Sequence, residues 1–258
     1  MAFMPFVTCG DPDMPTTLAL IEELADQGVD LIEVGFPYSD PIADGPVIQA
    51  SYTRALDNNL TVGQIMDGIR SLTADASTAQ KLPPLVAMVS YAIVFRWGPE
   101  EFAKQARDVG FSGLIIPDLP GDEAAEFAEI ARSCGLDLVQ LIAPTTPPER
   151  VERILKSAGG FVYCVSVAGT TGVRAELPAE LHDQLKDLRG RTDLPLAVGF
   201  GISTPEHVDA LRDVADGVIV GSAIVRQFEP PPDGKTDPAR AVKNVGQLAK
   251  AMVAETHR

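Results

Sequence analysis

Basic residues are scarce. The chain has 21 Lys and Arg against 36 Asp and Glu, a formal charge of −15 at pH 7. That is the wrong sign for nucleic acid, whose affinity rests on cations neutralising phosphates. Any anionic ligand must instead be held by backbone N–H groups or by a few local charges. Cysteine is rare as well: Cys9, Cys134 and Cys164 are widely spaced, with no Cys-x-x-Cys. They read as reduced core thiols, not as a disulfide framework. His182, His207 and His257 have no ligand-like spacing, so no metal site is expected. No apolar run of about 18 residues appears, and no basic region followed by an apolar stretch opens the chain. These absences lead to the expectation of a soluble, cytoplasmic protein. Hydrophobic residues still make up 45% of 258 positions, enough core for one α/β barrel or for two smaller domains.

What is present centres on residues 31–49, LIEVGFPYSDPIADGPVIQ. Successive strand residues alternate faces, so Ile32, Val34 and Phe36 share one side and Leu31, Glu33 and Gly35 the other. A strand apolar on both faces belongs in a parallel sheet covered by helices. Glu33 is thereby placed inside the sheet or a barrel lumen. A buried carboxyl is either a structural group held by backbone donors or a general acid/base with a raised pKa. Asp44, in Ala43-Asp44-Gly45-Pro46, precedes a helical pattern. It is either an N-cap or, beside Glu33, the second carboxylate of a reactive pair.

Around this stretch the chain keeps a steady rhythm. Strand patterns cover 3–7, 30–36, 85–91, 112–116, 136–142, 161–166, 194–198 and 217–220. Helical periods cover 15–27, 47–56, 61–72, 99–109, 122–134, 149–158, 178–188 and 205–214, with Gly28, Gly110 and Gly135 as stops. Residues 73–84 read as loop, 167–176 as a long loop, and 230–238 as a proline-rich linker before a last helix over 239–256. Eight strands alternating with helices predict a single (β/α)₈ barrel domain over 1–258, in preference to a doubly wound sheet.

Barrels of this kind often bind phosphate after strands seven and eight. Those positions read Gly199-Phe200-Gly201-Ile202-Ser203 and Gly221-Ser222-Ala223-Ile224, and the strand-six loop adds Gly169-Thr170-Thr171-Gly172. Glycines let the backbone approach an anion, and a following helix offers free N–H groups. Each glycine pair taken singly reads equally as a turn. Three in adjacent units point to an anion site that needs no basic side chain.

The run from Leu31 to Pro46 resembles the signature of the tryptophan synthase α subunit family almost position for position. Phe6-Val7-Thr8, Ile142-Ala143-Pro144-Thr145-Thr146-Pro147, Gly199 to Ser203 and Gly221 to Ile224 also match in order and spacing. The resemblance implies retro-aldol cleavage of indole-3-glycerol phosphate to indole and glyceraldehyde 3-phosphate, without a cofactor in this chain. The indole would pass to a β subunit carrying pyridoxal phosphate, in an α2β2 complex. By the same resemblance Glu33 transfers the protons at indole C3 and at the glycerol hydroxyl, and Asp44 stabilises the charge at N1–H. Phosphate would meet Gly172, Phe200, Gly201, Gly221 and Ser222, and Thr171 would act in loop closure over Asp44. Tyr163, Phe6 and Tyr91 either wall the indole or fill the barrel. Pro37 and Asp40 fall at the family's contact with its β subunit.

Two departures stand out. Ile93 replaces an asparagine common after strand three, and only Met1 and Ala2 precede Phe3, where the family has a leading helix. An upstream start is the favoured account of the second. The barrel floor is otherwise expected to expose apolar surface unless another subunit covers it. The rival functions are a stand-alone indole-3-glycerol phosphate lyase, another phosphate-binding barrel isomerase, and a non-catalytic subunit that activates a β partner.

Overall fold

A computed structural model describes residues 1–258 except 42–43, 120, 122–123, 166–178, 200, 232–233 and 235, with backbone alone for 179–180. Its strands are β1 (Ala2–Thr8), β2 (Ile32–Gly35), β3 (Leu85–Met88), β4 (Phe111–Ile115), β5 (Asp137–Ile142), β6 (Val162–Val165), β7 (Leu196–Gly199) and β8 (Gly217–Val220). Each pairs in parallel with the next, and β8 returns to β1 to close the barrel. The helices are α1 (Met14–Asp26), α2 (Pro46–Asp57), α3 (Val62–Ala74), α4 (Ala76–Ala79), α5 (Tyr91–Trp97), α6 (Pro99–Asp108), α7 (Ala125–Ser133), α8 (Pro148–Ser157), α9 (Ala179–Arg189), α10 (Pro205–Asp209), α11 (Ser222–Val225) and α12 (Pro238–Thr256).

Strand alternation sorts the apolar residues into two clusters. Phe3, Val7, Ile32, Val34 and Phe36 join the layer between barrel and helices. Met4, Phe6, Val86, Met88 and Ile219 fill the lumen. Glu33 belongs to the lumen set: the register places it between Phe6 of β1 and Val86 of β3. Closure of the sheet therefore carries a carboxyl into the interior at the level where the lumen begins to open.

The helix starts follow side-chain chemistry. Asp13 Oδ1 accepts from Thr16 N–H at 2.8 Å to begin α1, and Thr61 with Gln64 forms a capping box on α3. Residues 73–84 are not all loop: α3 runs to Ala74, and Asp75 caps α4 by accepting from Thr78 N–H at 2.8 Å. The third strand ends at Met88, not at Tyr91. Ser90 instead caps α5, a helix that the run Tyr91-Ala92-Ile93-Val94-Phe95 hides because aromatic and β-branched residues read as strand. The α10 helix stops at Asp209, with turns over 210–214.

The floor below strand one, expected to expose apolar surface, is largely covered, with Ala2 and Leu31 left partly exposed. Met4, Val86 and Phe161 are 7, 3 and 5% exposed. The helix α12 packs on α1 and β1, and Asp30 ties this corner by accepting from Phe3 N–H at 2.8 Å and pairing with His257 at 3.0 Å. No helix among the described residues is long and apolar enough to cross a membrane.

Phe36 anchors β2 from outside, its ring 6.1 Å from Phe102 and 5.9 Å from Phe111. Phe36→Ala should cost about 3–5 kcal/mol of unfolding free energy, measured by urea denaturation. Phe36→Leu should cost clearly less. Equal small losses would show that this cluster does not hold the strand.

Candidate active site

A cavity open at one side lies at the C-terminal end of the barrel. Glu33 and Asp44 of the 31–49 stretch both line it. Glu33 is 2% exposed, and its Oε2 has no hydrogen-bond partner among the described residues. Loss of water, reinforced by the neighbouring Asp44 charge, raises its pKa to about 8. Asp44 is 9% exposed. It does not cap α2, whose N-cap is Gly45. Its Oδ2 accepts from Tyr38 Oη at 3.3 Å, and Gln49 Nε2 donates to its backbone carbonyl at 2.7 Å. Burial raises Asp44 to about 6, opposed by the Tyr38 hydrogen bond. Burial thus holds the proton more firmly on Glu33 than on Asp44. Two acids pushed apart in this way can serve as proton donor and as a fixed negative charge.

The opposite wall is built from backbone. Gly201, Ile202, Ser203, Gly221, Ser222 and Ala223 line it. Gly201 has φ +85°, a conformation that side chains resist. Ile224 and Val225 N–H both turn to the Gly221 carbonyl, so the N–H groups of Ser222 and Ala223 have no helical acceptor. Between the two ends Phe6, Met88, Tyr163 and Ile219 give an apolar middle. The cavity can thus hold an apolar body with an anion at one end and two acids against the other.

Phe6, Glu33, Asp44, Tyr163, Gly201, Gly221 and Ser222 meet at this cavity. Thr171, Gly172 and Phe200 lie outside the described residues. Tyr91 does not line the cavity as expected. It sits at the start of α5, where Asp118 accepts from its N–H at 2.7 Å, and its ring packs 6.4 Å from Phe127. Pro37 is buried and Asp40 exposed on the loop after β2. Ile93 is half-buried against the helix layer.

The parts played by three residues in shaping the cavity escape a reading of the sequence. Arg226 lines the rim, a local charge that the glycine loops did not require; its place five residues after Gly221 was the available signal. Gly35 and Gly199 act by lacking side chains. A Cβ on Gly199 would fall 2.4 Å from the Tyr163 ring, and one on Gly35 would fall 2.4 Å from Phe6. Both aromatic rings occupy space that only glycine leaves free.

Comparison with known proteins agrees with this geometry. The family model described as tryptophan synthase alpha chain matches residues 1–255. A tryptophan synthase alpha chain from Rhodopirellula baltica is 50% identical over 226 residues, covering 88% of this chain and 81% of that one. The crystal structure of tryptophan synthase subunit alpha from Legionella pneumophila superposes with a TM-score of 0.87 at 33% identity, covering 99% of this chain and 92% of that one. A chain of the tryptophan synthase α2β2 complex from Pyrococcus furiosus gives a TM-score of 0.87 at 37% identity, with 98% of each chain covered.

The raised pKa of Glu33 makes stability depend on pH. A carboxyl that binds its proton more tightly when folded stabilises the fold at low pH, and this contribution fades as pH rises from the ordinary 4.5 through about 8. Glu33→Gln keeps the shape without the titration. Its stability relative to the parent should therefore grow across that window, by at most several kcal/mol at about 1.4 kcal/mol per pH unit. Denaturant unfolding at a series of pH values measures the gap. Parallel curves would refute a buried, proton-retaining Glu33.

Proposed function

Because the chain belongs to the tryptophan synthase alpha chain family, we propose that it cleaves indole-3-glycerol phosphate to indole and glyceraldehyde 3-phosphate. The observation that carries this reading is the pair of buried carboxyls, raised to about 8 and about 6, in one cavity with a backbone-lined anion end. Protonated Glu33 gives its proton to indole C3. The ring nitrogen becomes positive, and ionised Asp44 stabilises the N1–H. The Glu33 carboxylate then takes the hydroxyl proton from the adjoining glycerol carbon. A carbonyl forms there as the carbon–carbon bond breaks, and the bonding pair returns to the ring and neutralises the nitrogen. Glu33 ends as it began, so the cycle balances.

The apolar middle of the cavity suits the indole ring. The phosphate dianion fits the free N–H groups at Ser222 and Ala223, with Arg226 at the rim. The indole then passes to a β subunit, in an assembly like the α2β2 complex named for the Pyrococcus protein. The docking face is the barrel end that bears the loop with Pro37 and Asp40 and the neighbouring α5. That helix carries the two exposed large hydrophobic residues found among the described residues, Phe95 at 69% and Trp97 at 37%. We place the reaction in the cytoplasm.

Two measurements bear on the assignment. Glu33→Gln should lower kcat for indole release by roughly 10²–10⁴-fold, the usual worth of a general acid–base group. Retention of more than about a tenth of parental turnover would remove Glu33 from the chemistry. Gly221→Val adds bulk at the base of the anion end, where a Cβ already touches Phe6 at 3.7 Å and the added methyls displace the backbone donors beside it. The Michaelis constant for the phosphorylated substrate should rise about ten-fold or more, since about 1.4 kcal/mol of lost binding suffices for that. An unchanged constant would mean that the phosphate lies elsewhere.

A further inference from the structure

We propose that Tyr52 is a positioning residue of this site, its hydroxyl donating a hydrogen bond to the Asp44 carboxylate once the indole ring is bound. The inference rests on the indole-3-glycerol phosphate reading and assigns a further residue to it. Tyr52 comes from α2, is 1% exposed, and lies behind the cavity wall that Ile48 of the same helix forms. Its hydroxyl has no hydrogen-bond partner among the described residues. The hydroxyl stands over Gly35, where a Cβ would approach within 3.0 Å. Gly35 is the next lumen-facing residue after Glu33, so the phenol sits one step up the strand from the acid.

The ring of Tyr52 packs against Tyr38 with centroids 5.4 Å apart. Tyr38 in turn donates to Asp44 Oδ2 at 3.3 Å. A carboxylate accepts several donors, so one bond from Tyr38 leaves room for a second. Phenylalanine would fill the Tyr52 site equally well. A hydroxyl kept dry and unbonded weakens the fold, and it is accounted for if another state of the site uses it. That state arises when a ring with a positive N–H displaces water from Asp44. The carboxylate must then remain ionised in a drier cavity, and two phenols donating to it hold it so. The charged or titratable groups facing the hydroxyl are Asp44 and Tyr38 from the loop after β2, Glu33 from β2, and Cys9 after β1. Arg54 of the same helix is committed elsewhere, to Asp11 at 2.6 Å.

Tyr52→Phe tests this in the intact chain. Indole release is followed between about pH 5 and 9, alongside the thermal midpoint. The parent's kcat should fall about ten-fold in the variant, the usual effect of losing a hydrogen bond to a charged group, with little change in KM. The acid limb of the kcat profile should move to higher pH, because Asp44 has lost a donor to its ionised form. The thermal midpoint should hold or rise. Unchanged kcat with an unmoved acid limb overturns the proposal. A lower kcat with the acid limb in place, or with a lower midpoint, marks a packing role and overturns it equally. Failure of the parent itself to release indole would defeat the substrate reading, and this inference with it.

Discussion

The structure turns on keeping one carboxyl out of water. Glu33 lies between Phe6 and Val86 in the lumen layer, and at 2% exposure it cannot be solvated as an anion. Ionising it there costs several kcal/mol, so the barrel must be stable enough to carry a group that opposes it at high pH. Closure supplies that margin. A closed sheet has no edge to admit water, and a helix layer covers its outer face. An open sheet with the same residues would leave Glu33 a path to solvent and an ordinary pKa.

The same constraint explains the glycines at the top of the lumen. Aromatic rings close off the acid only if they lie flat against neighbouring strands. Gly35 and Gly199 provide that space beneath Phe6 and Tyr163, each with a ring atom 2.4 Å from where a Cβ would stand. Substituting alanine at either place would displace the wall that dries the site. These glycines are therefore part of the electrostatics, although neither presents a functional group.

Much of this was legible in the sequence, for identifiable reasons. The two-residue alternation of β2 placed Glu33 inward because a fully buried strand has no other way to arrange its faces. The βα rhythm gave the barrel because glycine stops and cap residues punctuate it. The helix α5 was not legible: its aromatic and β-branched residues favour strand locally, and it forms because Ser90 and Asp118 cap it. Asp118 donates nothing to sequence periodicity, yet it accepts from Tyr91 N–H and from Ser90 Oγ, both at 2.7 Å. Tyr91, the first residue of that helix, packs on Phe95 and Phe127. Arg226 was hidden for another reason. It lies beyond the glycine motif, five residues after Gly221, and the course of the short α11 brings it back to the rim.

A chain of charge −15 that binds a phosphorylated substrate has to separate attraction from repulsion. Distance does part of this, since charges farther apart than about 8 Å are largely screened at physiological salt. Within the cavity the separation is chemical. The half formed by β1 to β3 acts through side chains and keeps one of its two acids neutral, so only Asp44 opposes an incoming dianion. The half formed by β7 and β8 offers backbone N–H groups, which would attract an anion without adding a titratable charge next to Glu33. A lysine placed beside Glu33 for phosphate binding would pull its pKa down and remove the proton that the proposed reaction draws from it. Arg226, at the opposite wall and open to solvent, adds attraction where it does not disturb the acid. The use of neutral donors for the anion is thus a condition for keeping Glu33 protonated.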